Sequence, residues 1–141
     1  TYRLFYKEHA SALHGLIQFH GSHAPSEMIA LLLTCNVYVH PSHIENSSNA
    51  ICEAMALGMP VVALDVGGNT SIIRNNEDGL IVPNHDPYSL AEAIVRISQS
   101  DELSTTLGSN AKRQAHLRHN TQTIVSNLRQ IYTKVIRPYE Y

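Results

Sequence analysis

The stretch that decides the fold is "HIENSSNAICEAMALGMPVV", residues 43–62. A polar run, Asn46-Ser47-Ser48-Asn49, leads into an almost wholly apolar segment that ends at Leu57. Ser47, Ser48 and Asn49 are each able to cap a helix start. Gly58 is the residue type that ends a helix in the left-handed conformation, and Pro60 prevents continuation. "VVALD", residues 61–65, follows without apolar–polar alternation. Such a strand has both faces buried, the mark of a parallel strand covered by helices on two sides. Within this unit Glu45 and Glu53 stand eight positions apart, the second in the middle of the apolar segment.

The same alternation extends in both directions. Upstream, "YRLFYKEHASALHG" carries Leu4, Phe5, Ala10 and Leu13 ahead of Gly15 and Gly21, predicting a helix that ends near His14. "LIQFH" at 16–20 reads as a short strand. "APSEMIALLLTCN" reads as a helix, with Pro25 in the first turn, Ser26 and Glu27 at the positive end, and an apolar face of Met28, Ile29, Leu31, Leu32 and Leu33. "VYVH" at 37–40 is a second strand, stopped by Pro41. Downstream, "VGGNTS" turns into a short helix at 70–74, and residues 79–82 form another buried strand. Asp86 caps a helix with Pro87 at its first position and Leu90, Ala91, Ile94 and Ile97 on one face. Two further helices cover about 101–116 and 121–136, the last with Ile124, Leu128, Ile131, Tyr132 and Val135 on one side. Four strands alternating with helices over short connections define an α/β chain with a parallel sheet.

Composition narrows the function classes. The chain has 141 residues, one domain by size, with 16% charged residues and a formal net charge of -2. That balance gives no bulk attraction for nucleic acid, although Lys112, Arg113 and Arg118 form a local basic group. Cys35 and Cys52 adjoin apolar residues and read as reduced, buried thiols of a reducing compartment. No apolar run is long enough to span a bilayer, and the first residues lack signal-peptide order. His20, His23, His40 and His43 have no partners at zinc-ligand spacing, and neither a G-x-S-x-G elbow nor a G-x-G-x-x-G turn is present.

The chemistry of residues 45–53 divides by charge. In an open parallel sheet, ligands bind at the carboxyl edge of the strands. The loop after strand 37–40 opens a helix there, and unpaired first-turn amides with a favourable dipole attract an anion such as a diphosphate. Ser47, Ser48 and Asn49 add side-chain donors. Glu45 and Glu53 are acceptors, suited to paired hydroxyls of a ribose or hexose. Glu53 also fits a plain structural use, as an acidic residue in the N-terminal half of a helix.

"VHPSHIENSSNAICEAMALGMPVVALDVGGNTSIIRNNEDGLIVP" resembles the C-terminal, nucleotide-sugar-binding domain of retaining glycosyltransferases of family 4, which have the two-domain GT-B architecture. "LIQFHGSHAPSEMIALLLTCNVYVHPS", "DPYSLAEAIVRI" and "IVSNLRQIYTKVI" are similar to further landmarks of that family, so the likeness covers almost all of 1–141. It implies a Rossmann-like parallel sheet with flanking helices. It implies that Glu45 and Glu53 are the two glutamates of an E-x7-E signature, the first near the hydroxyls of the transferred sugar and the second on the nucleotide ribose. Asn46, Ser47, Ser48 and Asn49 match the loop along donor sugar and diphosphate, and Gly67 and Gly68 match a glycine pair near the donor. The implied donor is a UDP- or GDP-type sugar, with no cofactor and no metal. Two departures stand out: Asn46-Ser47-Ser48 replaces a frequent Gly-Phe-Gly, and Ser71 stands where a Glu is common.

The resemblance starts partway into the domain. Two strands, a glycine-rich turn, an Arg/Lys pair and the acceptor-binding domain of the family have no counterpart here. The expected chain is thus a partial C-terminal domain, truncated on its N-terminal side and inactive alone, with an open sheet edge that a homodimer could cover. Its full-length parent is expected to be an enzyme, cytoplasmic or peripheral to the membrane, that moves a hexose to a glycan, lipid or other acceptor held by the missing domain. The competing readings are a non-catalytic nucleotide-sugar-binding or assembly module and a GT-B epimerase or phosphorylase. Transfer by the complete protein separates them.

Overall fold

The structure, a computed structural model, describes residue 13 and residues 15–136. The helix expected up to His14 lies outside the described residues. The described elements run α1 (Pro25–Leu32), β1 (Tyr38–His40), α2 (Asn49–Leu57), β2 (Val61–Leu64), α3 (Asn69–Ile72), β3 (Leu80–Val82), α4 (Pro87–Ser98), α5 (Asp101–Arg118) and α6 (Thr121–Ile136). The chain divides into two compact units, residues 1–31 and 32–141.

The second unit is a three-stranded parallel sheet in the order β1-β2-β3. Tyr38 pairs with Val61 and His40 with Ala63; Val62 pairs with Leu80 and Leu64 with Val82. All four residues of the central strand β2 are buried, as the absence of alternation predicts. Its two faces feed two cores. Val61 and Ala63 meet Ile51, Ala54 and Met55 of α2 with Ile72, Ile73, Ala111 and Ala115. Val62 and Leu64 meet Leu80 and Val82, Ala93 and Ile97 of α4, and Leu107. The period-2 geometry of a strand makes this division, and α5 closes both sides by giving Leu107 to one core and Ala111 and Ala115 to the other.

Helix ends follow the expected local chemistry. Ser48 caps α2 by accepting from the Ile51 amide, and Gly58 ends it at φ 85° while its N–H returns to Ala54 and Met55 carbonyls. Asp86 caps α4 by accepting from the Tyr88 and Ser89 amides, with Pro87 at the first position. Ser100 caps α5 through Leu103 N–H. In the first unit Glu27 turns back to accept from the Ala24 amide at 3.1 Å and pairs with His23 at 3.5 Å. Arg118 donates to the carbonyls of Ser71 and Ile72, which occupies one of the three cations of the expected basic group.

Three expectations are corrected. Residues 16–20 form no strand, so the described residues hold three strands and not four; Leu16 is 77% exposed. A strand exists only as a member of a ladder, and the doubly wound order pairs this one with strands that have no counterpart among the described residues. Ala91 is exposed, whereas Ala93 is buried with Ile97. Position 93 falls on the Leu90–Ile97 stripe at helical spacing and 91 falls beside it. Cys35 is exposed and Cys52 half-buried, because Cys35 lies in the turn after α1 and not inside a helix. The apolar face of α6 forms as a helix but none of its residues is buried, and Tyr132 is 63% exposed. Periodicity specifies which side of a helix is apolar, not that a partner covers it. The same separation appears on α1, where no residue is buried and Ile29 is exposed.

Candidate functional site

Three loops converge at the carboxyl edge of the sheet: 41–48 after β1, 65–68 after β2 and 83–86 after β3. The first holds Glu45, Asn46, Ser47 and Ser48, and the second holds Gly67 and Gly68. The structure brings these residues together through the glycine pair. A Cβ added to Gly67 would lie 1.6 Å from the Glu45 carbonyl oxygen, and one added to Gly68 would lie 2.1 Å from the Asn46 carbonyl oxygen. Gly67 also takes the left-handed conformation at φ 50°. The pair therefore acts as a backbone seat for the Glu45–Asn46 peptide and so sets where the Glu45 side chain starts.

The Glu45 carboxylate is held at both oxygens. Oε2 lies 2.9 Å from His40 Nε2, and Oε1 accepts from the Asn46 amide at 3.1 Å. His40 is the last residue of β1, two places from Tyr38, so both side chains leave the same face of the strand. Their rings stack with centroids 6.2 Å apart and planes inclined by 23°. Burial raises the Tyr38 hydroxyl above its usual titration range, and the charges of Glu53 and then Glu45 add to that rise. Glu53 is exposed on α2 and accepts no hydrogen bond from the described residues.

The loop at the start of α2 is partly committed and partly open. Asn46, Ser47 and Asn49 are exposed. Ser48 is buried, and its hydroxyl oxygen accepts from Ile51 N–H at 3.3 Å. Ser48 therefore serves as the helix cap, and the side-chain donors facing outward come from Asn46, Ser47 and Asn49. The Cys52 amide bonds the Ser48 carbonyl, which leaves the first-turn amides of Asn49 and Ala50 for an outside acceptor. The Ser71 carbonyl accepts from Arg118.

A hollow of about 300 Å³ lies at the same edge, lined by Pro41, His43, Leu64, His85 and the start of α4. His43 stacks on His85 with centroids 4.6 Å apart and donates through its Nδ1–H to Asn84 Oδ1 at 2.6 Å. Among the described residues no three His, Cys, Asp or Glu side chains cluster as metal ligands. No helix among them is long and apolar enough to cross a membrane.

Sequence reasoning set His40 aside as a zinc ligand and passed over Tyr38. The signal was present: positions 38 and 40 share one face of a strand that runs directly into the Glu45 loop.

The chain is an α/β domain with a parallel sheet flanked by helices, and the solved structures that it matches are glycosyltransferases of the GT-B type. Sucrose-phosphate synthase from Thermosynechococcus elongatus superposes with a TM-score of 0.82 and 30% identity, over 96% of this chain and 34% of that one. HepE from Anabaena, crystallised with UDP-glucose, superposes with a TM-score of 0.80 and 25% identity, over 94% of this chain and 36% of that one. In sequence, the capsular polysaccharide biosynthesis glycosyltransferase CapM from Staphylococcus aureus is 30% identical over 115 residues, 82% of this chain and 30% of the relative. The model of the "Glycosyl transferases group 1" family matches residues 2–114, and the chain belongs to that family. It spans about a third of the length of these relatives.

Proposed function

We propose that this chain is the partial C-terminal, donor-binding domain of a family 4 retaining glycosyltransferase. The parent protein, a cytoplasmic enzyme in this reading, transfers a hexose from a UDP-type donor to a sugar or lipid-linked acceptor. The acceptor is held by a domain outside this chain. Glu53 binds the ribose hydroxyls, and the Asn49 and Ala50 amides with Asn46, Ser47 and Asn49 line the diphosphate and sugar. Glu45 accepts from the hydroxyls of the hexose. Gly67 and Gly68 seat the Glu45 loop, and no metal takes part. Transfer depends on stabilising charge on the leaving diphosphate and on holding the acceptor across the cleft. One wall of that cleft does not transfer by itself.

The observation that carries this reading is the pairing of an anchored acceptor with an open one. Glu45 is fixed at the sheet edge by two donors, while Glu53 is exposed and accepts no hydrogen bond from the described residues. Calorimetric titration of the complete protein with UDP tests it. Replacing Glu53 by Ala removes a charged acceptor from an exposed helix face, and UDP affinity falls by about tenfold, the size of one charge-assisted hydrogen bond. Unchanged affinity overturns the ribose role.

A further inference from the structure

We propose that His40 is the positioning residue for Glu45: it fixes the carboxylate as a two-oxygen acceptor for adjacent hydroxyls of the donor hexose. The inference rests on the donor-site reading above and adds a residue and a geometry to it. Glu45 is three-quarters shielded, its side chain being 22% exposed and that of His40 15% exposed. A hydrogen bond in such a place orients more firmly than one in open water. A carboxylate only accepts, so the proton of the 2.9 Å contact sits on His40 Nε2. The Asn46 amide takes the other oxygen at 3.1 Å. Each oxygen offers about two lone-pair directions, so one on each oxygen remains for a ligand. Two free lone pairs on a carboxylate clamped at both ends match two neighbouring hydroxyls on a pyranose, and not a single point donor.

The clamp is itself supported. The His40 ring stacks on Tyr38, and Tyr38 packs against the α2 side of the core. The Glu45 backbone is pinned by the glycine pair, where no Cβ fits. The carboxylate thus has its base set by Gly67 and Gly68 and its tip set by His40. Groups that tolerate an error of under about 0.5 Å are held in this manner, by side chains whose own rotamers are locked.

The test compares UDP with UDP-glucose as ligands of the complete protein, by calorimetry, in four forms: wild type, Glu45→Ala, His40→Phe and His40→Gln. Phe keeps a ring against Tyr38 and has no donor; Gln carries an amide N–H near the place of Nε2. His40→Phe weakens UDP-glucose relative to UDP by about tenfold, as Glu45→Ala does, while UDP affinity itself stays within about twofold. His40→Gln recovers most of the loss. A His40→Phe form that binds UDP-glucose like wild type, or that loses UDP and UDP-glucose alike, overturns the positioning role. If Glu45→Ala does not change the UDP-glucose to UDP ratio, the donor-site reading itself fails and this inference with it. A ligand-free measurement stands beside these: long-range proton–nitrogen NMR of the wild type shows the His40 proton on Nε2, and a proton on Nδ1 alone overturns the geometry.

Discussion

Replacing Gly68 by Ala is the most direct perturbation of the site that leaves every candidate ligand-binding side chain in place. The backbone at Gly68 has φ -86°, which Ala adopts freely, so no conformational penalty enters. The whole cost comes from space. The new Cβ would lie 2.1 Å from the Asn46 carbonyl oxygen and 3.3 Å from its carbon, against a closest approach of 3.0 Å for real Cβ atoms. The 45–47 backbone must therefore retreat by about 0.9 Å, and it is backbone, not the end of a flexible side chain. Overpacking of this kind destabilises by about 1–3 kcal/mol. The opposing gain, from a less flexible unfolded chain, is about 0.4–1 kcal/mol. The clash wins, and a net loss of about 1–2 kcal/mol is expected in denaturant unfolding. The same retreat shifts Glu45 by more than a clamped acceptor tolerates, so affinity for UDP-glucose drops by about tenfold or more. Equilibrium urea unfolding and calorimetric titration of the complete protein read both effects. A Gly68→Ala protein of unchanged stability and unchanged UDP-glucose affinity refutes the claim that the glycine pair seats the donor loop.

The remaining predictions concern the helix ends. Ser48→Ala lowers stability by about 1 kcal/mol through loss of the α2 cap, while Ser48→Asp retains most of it; thermal unfolding distinguishes the two. Asp86 is held below the ordinary carboxylate value of 3.8 chiefly by the Ser89 hydroxyl, then by the Ser89 and Tyr88 amides. A depressed folded value means that its contribution is full above 3.8 and is lost as pH falls through the lower folded value. The stability gap between wild type and Asp86→Ala is accordingly widest near neutrality and closes in acid; a gap that does not change with pH contradicts the cap assignment.

Much of the fold was legible because it rests on local rules. Ser48, Gly58 and Pro60 bound α2, Asp86 and Pro87 start α4, and the unbroken apolar run of β2 announces burial on both faces. Each of these is settled by residues within one turn of the chain. The segment 16–20 shows the limit of the same logic. Its composition is that of a strand, but a strand is a relation between two backbones, and residues 16–20 join no ladder among the described residues. The apolar stripe of α6 shows a related limit, since spacing fixes the direction of a face and says nothing of what meets it.

The candidate site divides in the same way. Sequence by itself determined the inventory: two carboxylates bracketing a polar helix start, and a glycine pair one αβ unit later. It did so because chemical type and helix-end preference are properties of individual residues. Only the tertiary structure decided the assignments among them. It gave Ser48 to the cap, set Gly67 and Gly68 under the peptide of Glu45 and Asn46, and brought His40 from the end of β1 to the Glu45 carboxylate. These are distances between chain segments, and parallel register with close backbone contact fixes them once the sheet has formed.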